Sequence, residues 1–240
     1  MRADGRTAEA IRPVRFETGF NIHTAGSCIF EMGRTRVHCT ASVEEHIPRW
    51  LKGSGKGWVT AEYRMLPGAT NTRFRREDRG IKGRTAEIQR LVGRALRSVI
   101  DLRALREQQI TVDCDVLQAD GGTRTAAVNG GFIALSMAIA DLKRRGLVQG
   151  QVLRDHVAAC SLGVVGGEVF ADLAYQEDFD AAVDLNLVMT GAGDLVEIQG
   201  TGEERPFTRA ELDRILALGA PACAAIVAHQ RRALGGGGLP

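Results

Sequence analysis

ITVDCDVLQADGGTRT, Ile110 to Thr125, decides how this chain is read. Its first nine residues alternate apolar and polar, the period of a strand with one buried face. The run from Ala126 through Ala140 is apolar and rich in small residues, and reads as a helix. Between strand and helix sit Asp120, Gly121, Gly122, Thr123 and Arg124. Two adjacent glycines allow positive φ and let backbone N–H groups come close to a ligand. At a helix amino terminus those groups and the macrodipole favour an anion. Thr123 adds a hydroxyl, and Arg124 a fork of donors matched to phosphate or carboxylate. The plainer reading is a tight strand-to-helix turn with Asp120 or Thr123 as N-cap.

Upstream, PVRFETGF (Pro13 to Phe20) alternates weakly. SCIFEM, then Gly33-Arg34, then TRVHCTASVEE (Thr35 to Glu45) reads as a β-hairpin. Trp58 to Leu66 reads as a further strand, after an exposed glycine- and lysine-containing connection at 51–57. Residues 84–102 place Ile88, Leu91, Val92, Leu96 and Val99 on one helical face, with Thr85 a plausible N-cap. Arg84 in the first turn opposes the helix dipole, a mismatch that suits a residue kept for a ligand anion. An exposed arginine without a role fits equally.

Downstream, LKRRG (Leu142 to Gly146) closes the long helix with basic residues and a glycine. HVAACSLGVV, Gly166-Gly167 and EVFADLAY (Glu168 to Tyr175) form a second hairpin, and an acidic connection follows at 176–184. DLNLVMT, GAGD and LVEIQGT form a third. Phe207 to Leu234 is helical, capped by Thr208 with Glu211 three residues on. Pro221 is expected to kink or divide it. The order of elements nearly repeats between the halves, without identities that would prove a duplication.

Net charge is +2, so a polyanion would have to be held by a local patch. One patch stands out: 67–83 carries Arg73, Arg75, Arg76, Arg79 and Lys82, with Phe74 its only aromatic. A basic irregular loop with an aromatic can follow a nucleic-acid backbone and stack on a base; it can equally be a solvated surface loop. Residues 1–13 are polar and basic, a mobile arm or one that packs on a neighbour. The five cysteines are odd in number and lack metal-ligand or disulfide spacing, so they read as core filling. No apolar leader and no run approaching a membrane span is apparent, and the expected location is a reducing cytoplasm.

Asp178, Asp180 and Asp184 fall within seven residues, beside Glu177. Hard cations such as Mg²⁺ take carboxylate oxygens and keep several waters. Asp178 closing one strand region and Asp184 opening the next could converge on one ion; an acidic turn is the plainer alternative. No nucleophile elbow or Ser-His-Asp order is present, so the attacking atom would come from a bound small molecule, with inorganic phosphate the candidate.

WLKGSGKGWVTAEYRMLPGAT (Trp50 to Thr70), GRTAEIQRLVGRALR (Gly83 to Arg97), Ile110 to Gly130 and LVMTGAGDLVEIQGT (Leu187 to Thr201) resemble the ribonuclease PH family, from about Arg12 to Arg231. The resemblance implies an α/β (α+β) fold with a duplicated βαβα unit like the second domain of ribosomal protein S5. It implies one domain over 1–240, its halves at roughly 12–145 and 146–234, with a flexible tail at 235–240. The implied activity is phosphorolytic 3′→5′ trimming of tRNA precursors, and of other structured RNA such as rRNA. Phosphate is co-substrate, nucleoside diphosphates leave, and the reaction is reversible. A homohexameric ring, a trimer of dimers, and a divalent cation such as Mg²⁺ are implied too. Arg84, Gly122, Thr123 and Arg124 match the family's phosphate contacts, Asp178 and Asp184 its metal-linked aspartates, and Arg73 and Arg76 its tRNA-binding arginines. The rival expectations are a non-catalytic RNA-binding ring subunit and an enzyme of nucleotide or sugar phosphates.

Overall fold

The computed structural model describes residues 2–44, 46–77, 80–81 and 83–240. The alternating segments become two sheets. β1 (Val14–Thr18), β2 (Gly26–Met32), β3 (Thr35–Glu44), β4 (Trp58–Met65) and β5 (Gln109–Gln118) form the first, in order β1-β2-β3-β5-β4. Among these strands only β4 and β5 run parallel. Parallel neighbours need a crossover, and α1 (Gly83–Ser98) supplies it. β6 (Val157–Val165), β7 (Glu168–Ala171), β8 (Val183–Thr190) and β9 (Leu195–Gly202) form an antiparallel sheet in order β7-β6-β8-β9. Each half closes on a long helix, α2 (Thr123–Arg144) or α4 (Arg209–Ala233).

α2 explains why its sequence is apolar on all sides. It packs on β2, β3 and β5 with one face and on β6 with another, so it lies between the sheets. Phe132, Ile133, Leu135 and Ile139 are fully buried there, each stabilising the fold by about 1.5–3 kcal/mol relative to exposure. Close approach needs small residues: a Cβ on Gly130 would stand 2.7 Å from Phe30 Cβ and 2.8 Å from Cys39 Sγ. Cys28, Cys39 and Cys114 sit abreast on β2, β3 and β5, and all five cysteines are free and buried, as the core-filling reading expected. Burial pushes the Cys28 thiol up to about 12, which keeps it inert. By length and composition alone α2 and α4 would suffice to cross a membrane, against the expectation that no run approaches that length. In α2 that apolar surface is largely buried between the sheets.

Other local expectations are corrected. Asp178 does not close a strand: 175–179 form a short helix, α3 (Tyr175–Phe179), inside the acidic connection. β7 stops at Ala171 because Asp172 takes a φ of 54°. Thr85 is not an N-cap; α1 starts at Gly83, and the Thr85 hydroxyl donates to Glu77 Oε1 at 2.8 Å. Neither Asp120 nor Thr123 caps α2, since Gly122 holds that position at a φ of 64°. Pro221 does not divide α4. Proline leaves the carbonyl four residues back, that of Ala217, without its helical donor. Ala217 and Pro221 are both exposed, so water can replace the missing bond. Thr208 and Glu211 form the expected capping box. Arg79 and Lys82 of the basic loop lie outside the described residues.

Candidate active site

The β5–α2 turn opens into a cleft of about 1120 Å³. Arg84, Gly122, Thr123, Arg124, Asp178 and Asp184 all line it, although they come from α1, α2, α3, β8 and the turn. Gly121 and Gly122 have φ of 76° and 64°, so both use the left-handed freedom that two glycines offer. A Cβ on Gly121 would fall 2.5 Å from the Leu173 carbonyl oxygen and 2.8 Å from Tyr175 N, so the turn abuts the start of α3. That contact sets the glycine turn beside the helix that carries Asp178.

The arginines are held differently. Arg124 Nη1 donates to Gln199 Oε1 at 2.8 Å and lies 3.7 Å from Glu87 Oε2. Gln199 Nε2 donates in turn to Glu87 Oε1 at 2.9 Å, tying β9 to α1 across the cleft. Arg84, in the first turn of α1, is exposed on the cleft wall. Thr123 Oγ1 accepts from the Tyr63 hydroxyl at 2.9 Å. Tyr63 is 2 % exposed and its phenol is pushed up by burial, so it donates and stays neutral.

The carboxylates face these cations. Asp184 stands on β8 opposite Gly163 and Thr201. Burial first, then the nearby Asp178 charge, push the Asp184 carboxyl up to about 6, against the pull of Arg124 and Arg84. Asp178 is raised too, chiefly by burial and against Arg124 and Arg84. Asp184 Oδ1 is buried with no hydrogen-bond partner. An orphaned carboxylate oxygen beside a second carboxylate fits a divalent cation, which would supply the missing charge. Among the described residues no cluster of three or more His, Cys, Asp or Glu side chains offers a fuller cage. Asp180 is apart from the cleft lining and accepts from Gln176 Nε2 at 2.9 Å.

Of the basic loop, Phe74 lines the cleft, whereas Arg73 and Arg76 are exposed and outside its lining. Sequence reasoning missed Tyr63, Gln199, Tyr175 and Phe179. The last two line the cleft from α3, 53 % and 73 % exposed, with ring centroids 6.4 Å apart. Two large aromatic side chains flanking Asp178 at i−3 and i+1 were the available signal.

Two family models match the chain: the 3′ exoribonuclease family, domain 1, over residues 10–140, and domain 2 of the same family over 155–221. The chain is 53% identical to ribonuclease PH of Crocosphaera subtropica, covering 98% of each chain. It is 54% identical to ribonuclease PH of Corynebacterium glutamicum, covering 98% of this chain and 96% of that one. The Archaeoglobus fulgidus exosome, solved with RNA bound to the active site, aligns with a TM-score of 0.79 at 20% identity, over 95% of this chain and 92% of that one. The fold is that of the second domain of ribosomal protein S5, mixed α/β. With both family models matched in order along one chain, the protein belongs to the 3′ exoribonuclease family, among the ribonuclease PH enzymes.

Proposed function

We propose that orthophosphate bound between Arg84, Arg124 and the amino terminus of α2 is the attacking group in this enzyme. The chain is a phosphorolytic 3′→5′ exoribonuclease and nucleotidyltransferase that trims tRNA 3′ ends, with inorganic phosphate as co-substrate. The observation that carries the site reading is the gathering of the Gly122-Thr123-Arg124 turn, Arg84, Asp178 and Asp184 around one cleft. Phosphoryl transfer needs little covalent help from a protein; position and charge do the work. The turn amides, the Thr123 hydroxyl and the two guanidinium groups hold a phosphate oxygen in line with the terminal phosphodiester. That oxygen attacks phosphorus, the P–O3′ bond of the penultimate nucleotide breaks, and a nucleoside diphosphate leaves. The shortened RNA keeps a 3′-hydroxyl, which is why the step reverses as nucleotide addition.

Asp178 and Asp184 would hold Mg²⁺, which when bound offsets charge on the scissile phosphate. The orphaned Oδ1 of Asp184 supports this assignment. Arg73 and Arg76 contact the tRNA backbone from the exposed loop, and Tyr175 and Phe179 offer π-faces to unpaired bases at the cleft mouth. A homohexameric ring of this chain and a cytoplasmic location complete the reading; Ile22, at 88 %, and Leu195, at 55 %, are apolar side chains exposed on a single copy of the chain. The non-catalytic ring subunit is disfavoured, because all five charged and hydroxyl groups of the site are present and share the cleft. Product analysis tests the proposal. Nucleoside diphosphates should form from a tRNA precursor only when phosphate is supplied, and in Arg84→Ala and Arg124→Ala their release should need at least about tenfold more phosphate. An unchanged phosphate requirement in both variants would remove phosphate from this pocket.

A further inference from the structure

The amino-terminal arm, residues 2–12, forms no helix or strand, yet it buries two of its arginines. Arg2 is 5 % and Arg12 4 % exposed. A buried guanidinium is costly unless its donors all find acceptors. Arg12 finds them on both sides of a gap. Its backbone N–H and Nε donate to Asp172 Oδ2 at 2.6 and 2.9 Å, and Nη2 donates to Asp172 Oδ1 at 2.6 Å. On the far side Nη1 donates to the Asp120 carbonyl and Nη2 to the Gly121 carbonyl at 3.4 Å. Thr35, fully buried, completes the brace. Its hydroxyl donates to the Gly121 carbonyl at 2.6 Å and accepts from the Asp120 N–H at 2.9 Å.

A trans peptide is planar, so a carbonyl and the N–H of the next residue point in opposite directions. Fixing the Asp120 and Gly121 carbonyls on Arg12 and Thr35 therefore turns the Gly121 and Gly122 N–H groups away from the arm. Both glycines line the cleft, and among the described residues neither amide donates to a protein acceptor. Two amides aimed by their own carbonyls are what an anion site requires. Asp172, the anchor of the brace, takes a φ of 54°, a conformation a non-glycine residue holds only when its surroundings compel it.

Arg2 serves the opposite wall. Its Nε and Nη2 grip the Glu177 carboxylate at 2.7 and 2.6 Å, while Nη1 donates to the Ala171 carbonyl and Nη2 to the Asp172 carbonyl, each at 2.8 Å. Glu177 also accepts from the Ala174 N–H at 2.9 Å, at the start of α3, and Asp178 is its neighbour in sequence. A helix of five residues does not hold itself.

We infer that the amino-terminal arm is a positioning element of the reaction. Arg12, with Thr35, aims the phosphate-binding amides, and Arg2, through Glu177, fixes the short helix that carries Asp178. The inference rests on the reading of the cleft as the orthophosphate site, and the test separates the two. Arg12→Lys, Thr35→Val and Arg2→Lys are made in the full chain beside Arg124→Ala. Lysine keeps the charge but cannot bridge Asp172 and two carbonyls; valine keeps the volume of Thr35 and removes only the hydroxyl. Phosphorolysis is followed with phosphate and RNA varied separately, together with thermal unfolding. Arg12→Lys and Thr35→Val should raise the phosphate KM about tenfold and leave the RNA KM in place. Arg2→Lys should lower kcat with the phosphate KM unmoved. Variants that lose thermal stability while the phosphate KM stays within twofold of the parent would overturn the inference and leave the arm merely structural. In that event a raised phosphate KM in Arg124→Ala leaves the anion site standing, and an unchanged one removes the site as well.

Discussion

Arg124→Ala is the sharpest perturbation of the proposed phosphate site, because its structural cost is small and its chemical cost is not. Gln199 would lose the 2.8 Å bond from Arg124 but keep Glu87 at 2.9 Å, so the link between β9 and α1 survives. Glu87 is partly exposed and can be rehydrated once its 3.7 Å neighbour is gone. What disappears is a charge-assisted hydrogen bond to the anion, about 1.5 to 3 kcal/mol. At about 1.4 kcal/mol per decade, the phosphate KM should rise about 10- to 150-fold. Arg124→Lys should fall between, since it restores charge without the fork. The assay is release of nucleoside diphosphate from an RNA with an unpaired 3′ end, with phosphate varied at saturating RNA. RNA affinity is measured separately across a salt series, where its slope reports backbone contacts. That slope and affinity should be unchanged. A phosphate KM within twofold of the parent, or an equal loss of RNA affinity, would refute the assignment of Arg124.

Three further outcomes follow, two from the cleft and one from the first sheet. Asp184→Asn should abolish turnover and its response to Mg²⁺ while raising stability at neutral pH, since it removes a carboxylate that burial and Asp178 disfavour; an active variant that still responds to Mg²⁺ would eliminate the cation site. Phe179→Ala, on a side chain 73 % exposed, should leave the melting temperature alone and raise the RNA KM about three- to tenfold, a fraction of a base-stacking contact. An unchanged RNA KM would remove α3 from RNA binding. Asp113→Asn concerns stability alone. Burial, then Glu62, Asp115 and Glu44, push the Asp113 carboxyl up to about 6, so the folded state holds that proton more tightly than the unfolded chain. Stability contributed by the site is then lost as pH rises from the unfolded value of 3.8 through about 6. The substitution should therefore stabilise by about 1 kcal/mol at pH 7, after allowance for solvent screening, with the gain vanishing below pH 3.8. Denaturant midpoints at both pH values decide it.

The features legible in the sequence are those fixed by neighbours along the chain. The alternation of Ile110 to Gln118 gave β5, and paired glycines marked the β6–β7 turn. Thr208 and Glu211 announced α4 within four residues. What was hidden depends on partners far away in sequence. Thr85 looked like an N-cap until Glu77 took its hydroxyl from outside the helix. α3 is too short for helical periodicity and is stitched down by Arg2, 175 residues from Glu177. Arg12 read as part of a basic arm, mobile or packed on a neighbour, because nothing nearby in the chain reveals Asp172 as its acceptor. The partition of strands into two sheets around α2 is likewise a product of packing. Arg84, Gly122, Thr123, Arg124, Asp178 and Asp184 were legible as separate motifs, and only the fold shows that these six share one cleft, with Arg73 and Arg76 outside its lining.

A crystal structure with arsenate, a close mimic of orthophosphate that can be located by its anomalous signal, tests the central claim most directly. The arsenic should sit at the amino terminus of α2, with oxygens bonded to Arg84, Arg124, the Thr123 hydroxyl and the Gly122 amide. Arsenate bound elsewhere in the cleft, with those four groups unengaged, would contradict the account.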